Sequence, residues 1–120
     1  MIEIKVSYWK RTYNSGREKF YYNYISVKGH SSDGTLNSIK CCAGVTAITT
    51  GVLAMFDVDD CDIKLNKGFF ELITKKSSSD DVHRTVNTLV YQLANIATIY
   101  PEYFKEFNFI EEKLNNGQEE

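Results

Sequence analysis

The stretch Gly29-His30-Ser31-Ser32-Asp33-Gly34-Thr35-Leu36-Asn37-Ser38-Ile39-Lys40-Cys41-Cys42-Ala43-Gly44 decides how this chain is read. Before it, the residues from Phe20 to Val27 are mostly aromatic or β-branched, the composition of a strand. After it, Val45, Ile48, Val52 and Met55/Phe56 recur at helical spacing. Between the two lies a polar loop hinged at Gly34, and Asn37 or Ser38 stands where a helix cap is needed. His30 therefore closes a strand, and Cys42, twelve positions later, opens a helix. A cysteine is a strong nucleophile only as thiolate, and a helix N-terminus or a nearby imidazolium favours that form. A Cys/His pair held this way can attack a carbonyl. The plain alternative is a small buried thiol beside a loop histidine.

Outward from this stretch the patterns fall into pairs. Ile2, Ile4 and Val6 alternate with polar residues as in a half-buried strand, and Asn14-Ser15-Gly16 turns it into the strand around Phe20–Val27. Beyond the helix and the acidic connector from Asp57 to Asp60, residues 62–66 alternate around Ile63 and Leu65. Asn66-Lys67-Gly68 turns that segment into a partner strand from Phe69 to Thr74. Asp80 and Asp81 then favour a helix start, and Val82, Val86, Leu89, Val90, Leu93, Ile96 and Ala97 form the clearest apolar stripe in the chain. His83 lies off that stripe and is read as facing solvent. Pro101 stops the helix, and Phe104 to Glu111 alternates as a last, edge-type strand. The order β-β-α-β-β-α-β predicts an α+β, two-layer sandwich: a mainly antiparallel sheet with two helices on one face. One domain over residues 1–114 is expected, followed by a polar tail at 115–120.

Bulk properties narrow the function. The 120 residues carry a net charge of −2, so no broad basic footprint marks nucleic acid as a partner. The aromatic run Phe20-Tyr21-Tyr22-Asn23-Tyr24 lacks the basic and glycine-rich company of a base-stacking sheet. No apolar run is read as long enough for a membrane span, so no membrane partner is expected. Three cysteines, two of them adjacent, do not form a disulfide framework, which points to a reducing, cytoplasmic compartment. His30 and His83 are far apart with no ligand pair near either, so no metal or other cofactor is implied. Cys61 is read as an inert small hydrophobe.

Gly29-His30, the loop, Cys42-Ala43-Gly44-Val45-Thr46-Ala47 and the later Ile99-Tyr100-Pro101-Glu102-Tyr103 together resemble the ribosomal-processing cysteine protease family Prp. The family pattern is Gly-His-Ala, a loop, then Asp-Ile-Val-Cys-Ala-Gly/Ala-x-Ser-Ala, with the cysteine twelve positions after the histidine. The resemblance spans nearly the whole chain. It implies a cysteine endopeptidase that removes a short N-terminal extension from a large-subunit ribosomal protein precursor, cutting after paired phenylalanines. It also implies a homodimer and a catalytic dyad of His30 and Cys42. Where the family carries an acidic residue three positions before the cysteine, this chain has Ile39 with Ser38 beside it. A one-residue shift matches Ser38-Ile39-Lys40-Cys41 instead and makes Cys41 the alternative nucleophile. The hydroxyl four positions after Cys42 is kept as Thr46.

Amide hydrolysis by a thiol needs an attacking thiolate, a proton donor for the leaving amine and donors for the oxyanion. Cys42 and His30 fit the first two. Backbone N–H groups of Cys42 and Ala43, exposed at a helix start, fit the third. The small side chains of Ala43 and Gly44 would let a substrate approach. Asp33, Ser38 and Thr46 are supporting candidates, Asp33 as orienter of the imidazole. The missing acid before Cys42 motivates an alternative to this leading reading, a catalytically weakened Prp-like peptide- or ribosome-binding module.

Overall fold

Two β-hairpins, each followed by a helix, build most of the molecule. The computed structural model describes residues 1–30, 33–57, 59–75 and 78–112. Its elements are β1 (Ile2–Thr12), β2 (Glu18–Lys28), α1 (Leu36–Leu53), β3 (Cys61–Asn66), β4 (Phe69–Thr74), α2 (Asp80–Ile99), a 3₁₀ turn (Pro101–Tyr103) and β5 (Phe104–Glu111). The strands form one sheet in the order β3-β4-β2-β1-β5. β1 pairs antiparallel with β2, β2 with β4 and β4 with β3, whereas β5 runs parallel to β1. The α+β class and the element order expected from the sequence are both found. The polar tail expected at 115–120 lies outside the described residues.

The parallel pairing of β5 follows from the path of the chain. β4 and β5 run in the same direction, and only a long crossover can join two such strands. α2 is that crossover. The first hairpin is longer than its alternation alone indicates, reaching Thr12 and starting again at Glu18. Cross-strand pairs hold the extension: Trp9 stacks on Tyr21 with centroids 4.0 Å apart, and Lys10 meets Glu18 at 3.1 Å.

Ile2, Ile4, Val6, Ile25, Leu72, Val86, Leu89 and Leu93 are almost fully buried between sheet and helices. Each such side chain contributes about 1.5–3 kcal/mol of burial free energy. α1 sets Ser38, Cys41, Val45, Thr49 and Val52 into this layer at spacings of three and four. By length and composition alone α1 is able to cross a membrane, contrary to the expectation that no apolar run is long enough. In the fold, that buried stripe lies in the layer under the sheet.

Two local expectations are corrected. The cap of α1 is Thr35, not Asn37 or Ser38: its hydroxyl accepts the Ser38 N–H at 3.2 Å, and its carbonyl accepts the Ile39 N–H at 3.1 Å. His83 is buried, not solvent-facing, with 4% of its surface exposed. It meets the ring of Tyr21 edge-on, centroids 5.0 Å apart, and its Nδ1 has no hydrogen-bond partner among the described residues. The spacing of His83, Val86 and Val90 along one helix flank carries this burial, but the wider apolar stripe masks it in the sequence.

Burial, reinforced by the Lys19 ammonium and opposed by Asp80, lowers the pKa of His83 below the ordinary imidazole value. The unfolded chain therefore binds this proton more readily than the folded one. The stabilisation from a neutral His83 is complete above the unfolded value of about 6.5 and is lost as pH falls through the lower folded value. Melting temperatures measured from pH 8 to pH 5 will fall more steeply for the native protein than for His83→Gln. Parallel curves would contradict this account of His83.

Candidate active site

The end of β2 is held in place by a steric constraint and a hydrogen bond. Gly29 has a φ of 94°, and a Cβ there would overlap the carbonyl oxygen of Met1. Its N–H donates to the Gly68 carbonyl at 3.0 Å, in the turn between β3 and β4. No other residue type meets both demands, because only glycine enters this region without steric cost and leaves the space empty. His30 follows directly, exposed and resting against that turn.

His30 and Cys42 line the same cavity, a cleft of about 330 Å³ beside α1 and the β3–β4 turn. That volume is at the small end of the range for ligand sites. Ile2, Val27, Val45, Leu65, Phe69 and Phe70 give the cleft an apolar surface. Thr49 and Thr50 also line it, but their hydroxyls donate to helix carbonyls, Thr49 to Val45 at 3.0 Å and Thr50 to Thr46 at 2.6 Å. Their methyl groups are thus the parts left unengaged by the helix. Thr46, expected as a supporting residue, is exposed and lines the same cleft. Two larger clefts, of about 640 and 650 Å³, bring no thiol together with a histidine.

The two adjacent cysteines are separated by the helix itself. Successive residues step about 100° around the axis. Cys41 is fully buried in the core, while Cys42 is half-buried and lines the cleft. Cys61 is buried, and that burial, with Asp60 and Asp62 adding to it, pushes its thiol up to about 11.

Other expected groups are placed differently. Because α1 starts at Leu36, Cys42 and Ala43 are its seventh and eighth residues, not a helix start. Their N–H groups lie beyond the four unsatisfied donors of the first turn, so the premise that made them oxyanion donors is corrected. Gly44 packs against Ile96 of α2, so its small size serves helix packing. Asp33 braces the cap residue Thr35: its carboxylate accepts the Thr35 N–H at 2.9 Å and the Thr35 hydroxyl at 2.6 Å. Those bonds hold its pKa below the ordinary carboxylate value. The Asp33 N–H donates to Ser38 Oγ at 3.3 Å, and Thr35 Oγ1 lies 3.0 Å from the Tyr103 hydroxyl. Asp33 and Ser38 thus belong to the start of α1, and neither is in the lining of the cleft. Among the described residues no group of three His, Cys, Asp or Glu side chains is arranged to hold a metal.

The apolar lining from β3 and β4 was not legible as part of a site. The turn Asn66-Lys67-Gly68 is recognisable in sequence, but its position beside His30 depends on β4 pairing with β2, where Lys28 faces Phe69.

The family model for the cysteine protease Prp matches residues 1–105. The fold is similar to the crystal structure of the essential ribosomal processing protease Prp from S. aureus in complex with a substrate peptide. That match has 18% identity, covers 91% of this chain and 99% of the other, and has a TM-score of 0.67. A second structure of the S. aureus protease, with a covalently linked product peptide, matches at 18% identity over 93% and 100% of the two chains, TM-score 0.66. SMU.848 from Streptococcus mutans matches at 16% identity over 93% and 96%, TM-score 0.70. No curated protein matches the chain in sequence.

A thiol with a pKa of about 11 is about one part in a thousand thiolate at pH 8, and a thiol sealed in the core meets no reagent. Limited iodoacetamide treatment of the native protein will therefore label Cys42 before Cys61 and Cys41, as read by peptide mapping. Equal labelling of all three would contradict the burial pattern.

Proposed function

The chain belongs to the Prp cysteine protease family, and on that premise we propose that it is a cytoplasmic cysteine endopeptidase. It removes a short N-terminal extension from a large-subunit ribosomal protein precursor. The observation that carries this reading is the shared cleft of His30 and Cys42. The apolar lining supports a phenylalanine-containing substrate, since burying an aromatic side chain there releases its large apolar surface from water. The peptides bound in the S. aureus structures support a peptide as ligand.

In this mechanism His30 accepts the Cys42 proton, and the sulfur bonds to the scissile carbonyl carbon. The carbon–nitrogen bond breaks as the imidazolium returns its proton to the leaving amine. Water, deprotonated by the imidazole, then cleaves the thioester and regenerates the thiol. Cys42 is favoured over Cys41 as nucleophile because only it reaches the cleft. Thr46 flanks the substrate path on the same helix. The active form is a homodimer, as the family resemblance implies.

A second reading, a weakened Prp-like peptide- or ribosome-binding module, is motivated by one observation. Ile39 occupies the family's acidic position, and the nearest carboxylate in the loop, Asp33, is bonded to Thr35. Incubation with a Phe-Phe peptide from a ribosomal protein precursor, followed by mass spectrometry, separates the two. The protease reading predicts cleavage after the phenylalanine pair and a loss of at least about 10³-fold on Cys42→Ala with the circular dichroism unchanged. Binding without turnover, restored to turnover by Ile39→Asp, would favour the module instead. Cleavage by Cys42→Ala at the native rate would remove the dyad.

A further inference from the structure

We propose that Gly68 is the positioning residue for His30: the β3–β4 turn is the rest against which the imidazole is held. The inference rests on the reading that His30 acts on Cys42, and it assigns the orienting role that a carboxylate would otherwise fill.

Three features of residue 68 converge on His30. A Cβ built on Gly68 would stand 2.5 Å from Nε2, 3.1 Å from Cε1 and 3.3 Å from Cδ2 of the ring. The imidazole edge therefore lies in the space that any other side chain would occupy. The Gly68 carbonyl also accepts the Gly29 N–H at 3.0 Å, so the same residue fixes the backbone one position before the histidine. Finally, Gly68 has a φ of 73°, a left-handed conformation that glycine enters without steric cost, and the Cα hydrogen in place of a Cβ faces the ring. The turn is itself anchored, because β4 is hydrogen-bonded on both sides, to β2 and to β3.

The carboxylate candidate is engaged elsewhere. Asp33 binds Thr35 through its Oδ1, at the start of α1. Steric confinement by the turn replaces a charge–imidazole contact. Confinement restricts the ring to fewer orientations, and a histidine already held at the cleft it shares with the thiol loses less freedom in the transition state.

The test uses three variants and the native protein. Gly16 is the control: it also has a positive φ, 87°, but nothing lies within 4 Å of the place its Cβ would take. Gly68→Ala introduces both backbone strain and the clash, while Gly68→Asn introduces the clash with a residue that tolerates positive φ. Cleavage of a Phe-Phe peptide should fall about 100-fold in kcat for both Gly68 variants, with KM changed less than about threefold. Gly16→Ala should keep the native kcat while losing thermal stability. The native protein should show nuclear Overhauser contacts between the His30 ring protons and the Gly68 α-protons. Absence of those contacts would overturn the proposal even if no Gly68 variant folds, and so would a native kcat in Gly68→Asn. Those contacts read the geometry in the absence of turnover, so failure of the protease reading, seen as cleavage by Cys42→Ala, is a separate result.

Discussion

The hydrogen bond from the Gly29 N–H to the Gly68 carbonyl is the constraint on which the site depends. It ties the end of β2 to a turn from a different hairpin, 39 positions later in the sequence. A non-glycine residue at 29 would collide with the Met1 carbonyl, and one at 68 would collide with the His30 ring. The chain thus packs its own N-terminus, the last turn of its second hairpin and the histidine into one small volume. That convergence gives the cleft its floor, with Ile2 from one side and Leu65, Phe69 and Phe70 from the other.

The opposite wall is set by the phase of α1. Asp33, Thr35 and Ser38 fix where the helix begins, and the Tyr103 hydroxyl braces Thr35 from the segment after α2. Once the start is fixed, the 100° step decides which of two neighbouring thiols enters the core and which enters the cleft. Cys41 takes the first place and Cys42 the second. Asp33, read from the sequence as an orienting acid, instead helps to set this phase through its bonds to Thr35.

Periodicity made the strands and helices legible, because β1, β4 and α2 each bury one face against a single layer. The histidine–cysteine spacing was legible for the same reason: it measures one strand end, one loop and two helical turns. The cap of α1 was misread because Asn37, Ser38 and Thr35 all have capping side chains, and only the Asp33–Thr35 contact selects among them. His83 was misread because its flank of α2 gains a cover from Tyr21, a residue whose ring is turned there by the long first hairpin. The aromatic floor of the cleft was invisible because it depends on pairing between β4 and β2, a contact between segments distant in sequence.

The central claim is that the imidazole of His30 and the sulfur of Cys42 act as one unit within this cleft. A peptidyl chloromethyl ketone ending in Phe-Phe, reacted with the native protein and with His30→Ala and followed by peptide mapping, tests it most directly. The account predicts a single sulfur adduct on Cys42, formed at least about tenfold more slowly without His30. An adduct on Cys41 or Cys61, or an equal rate in the two proteins, would contradict it.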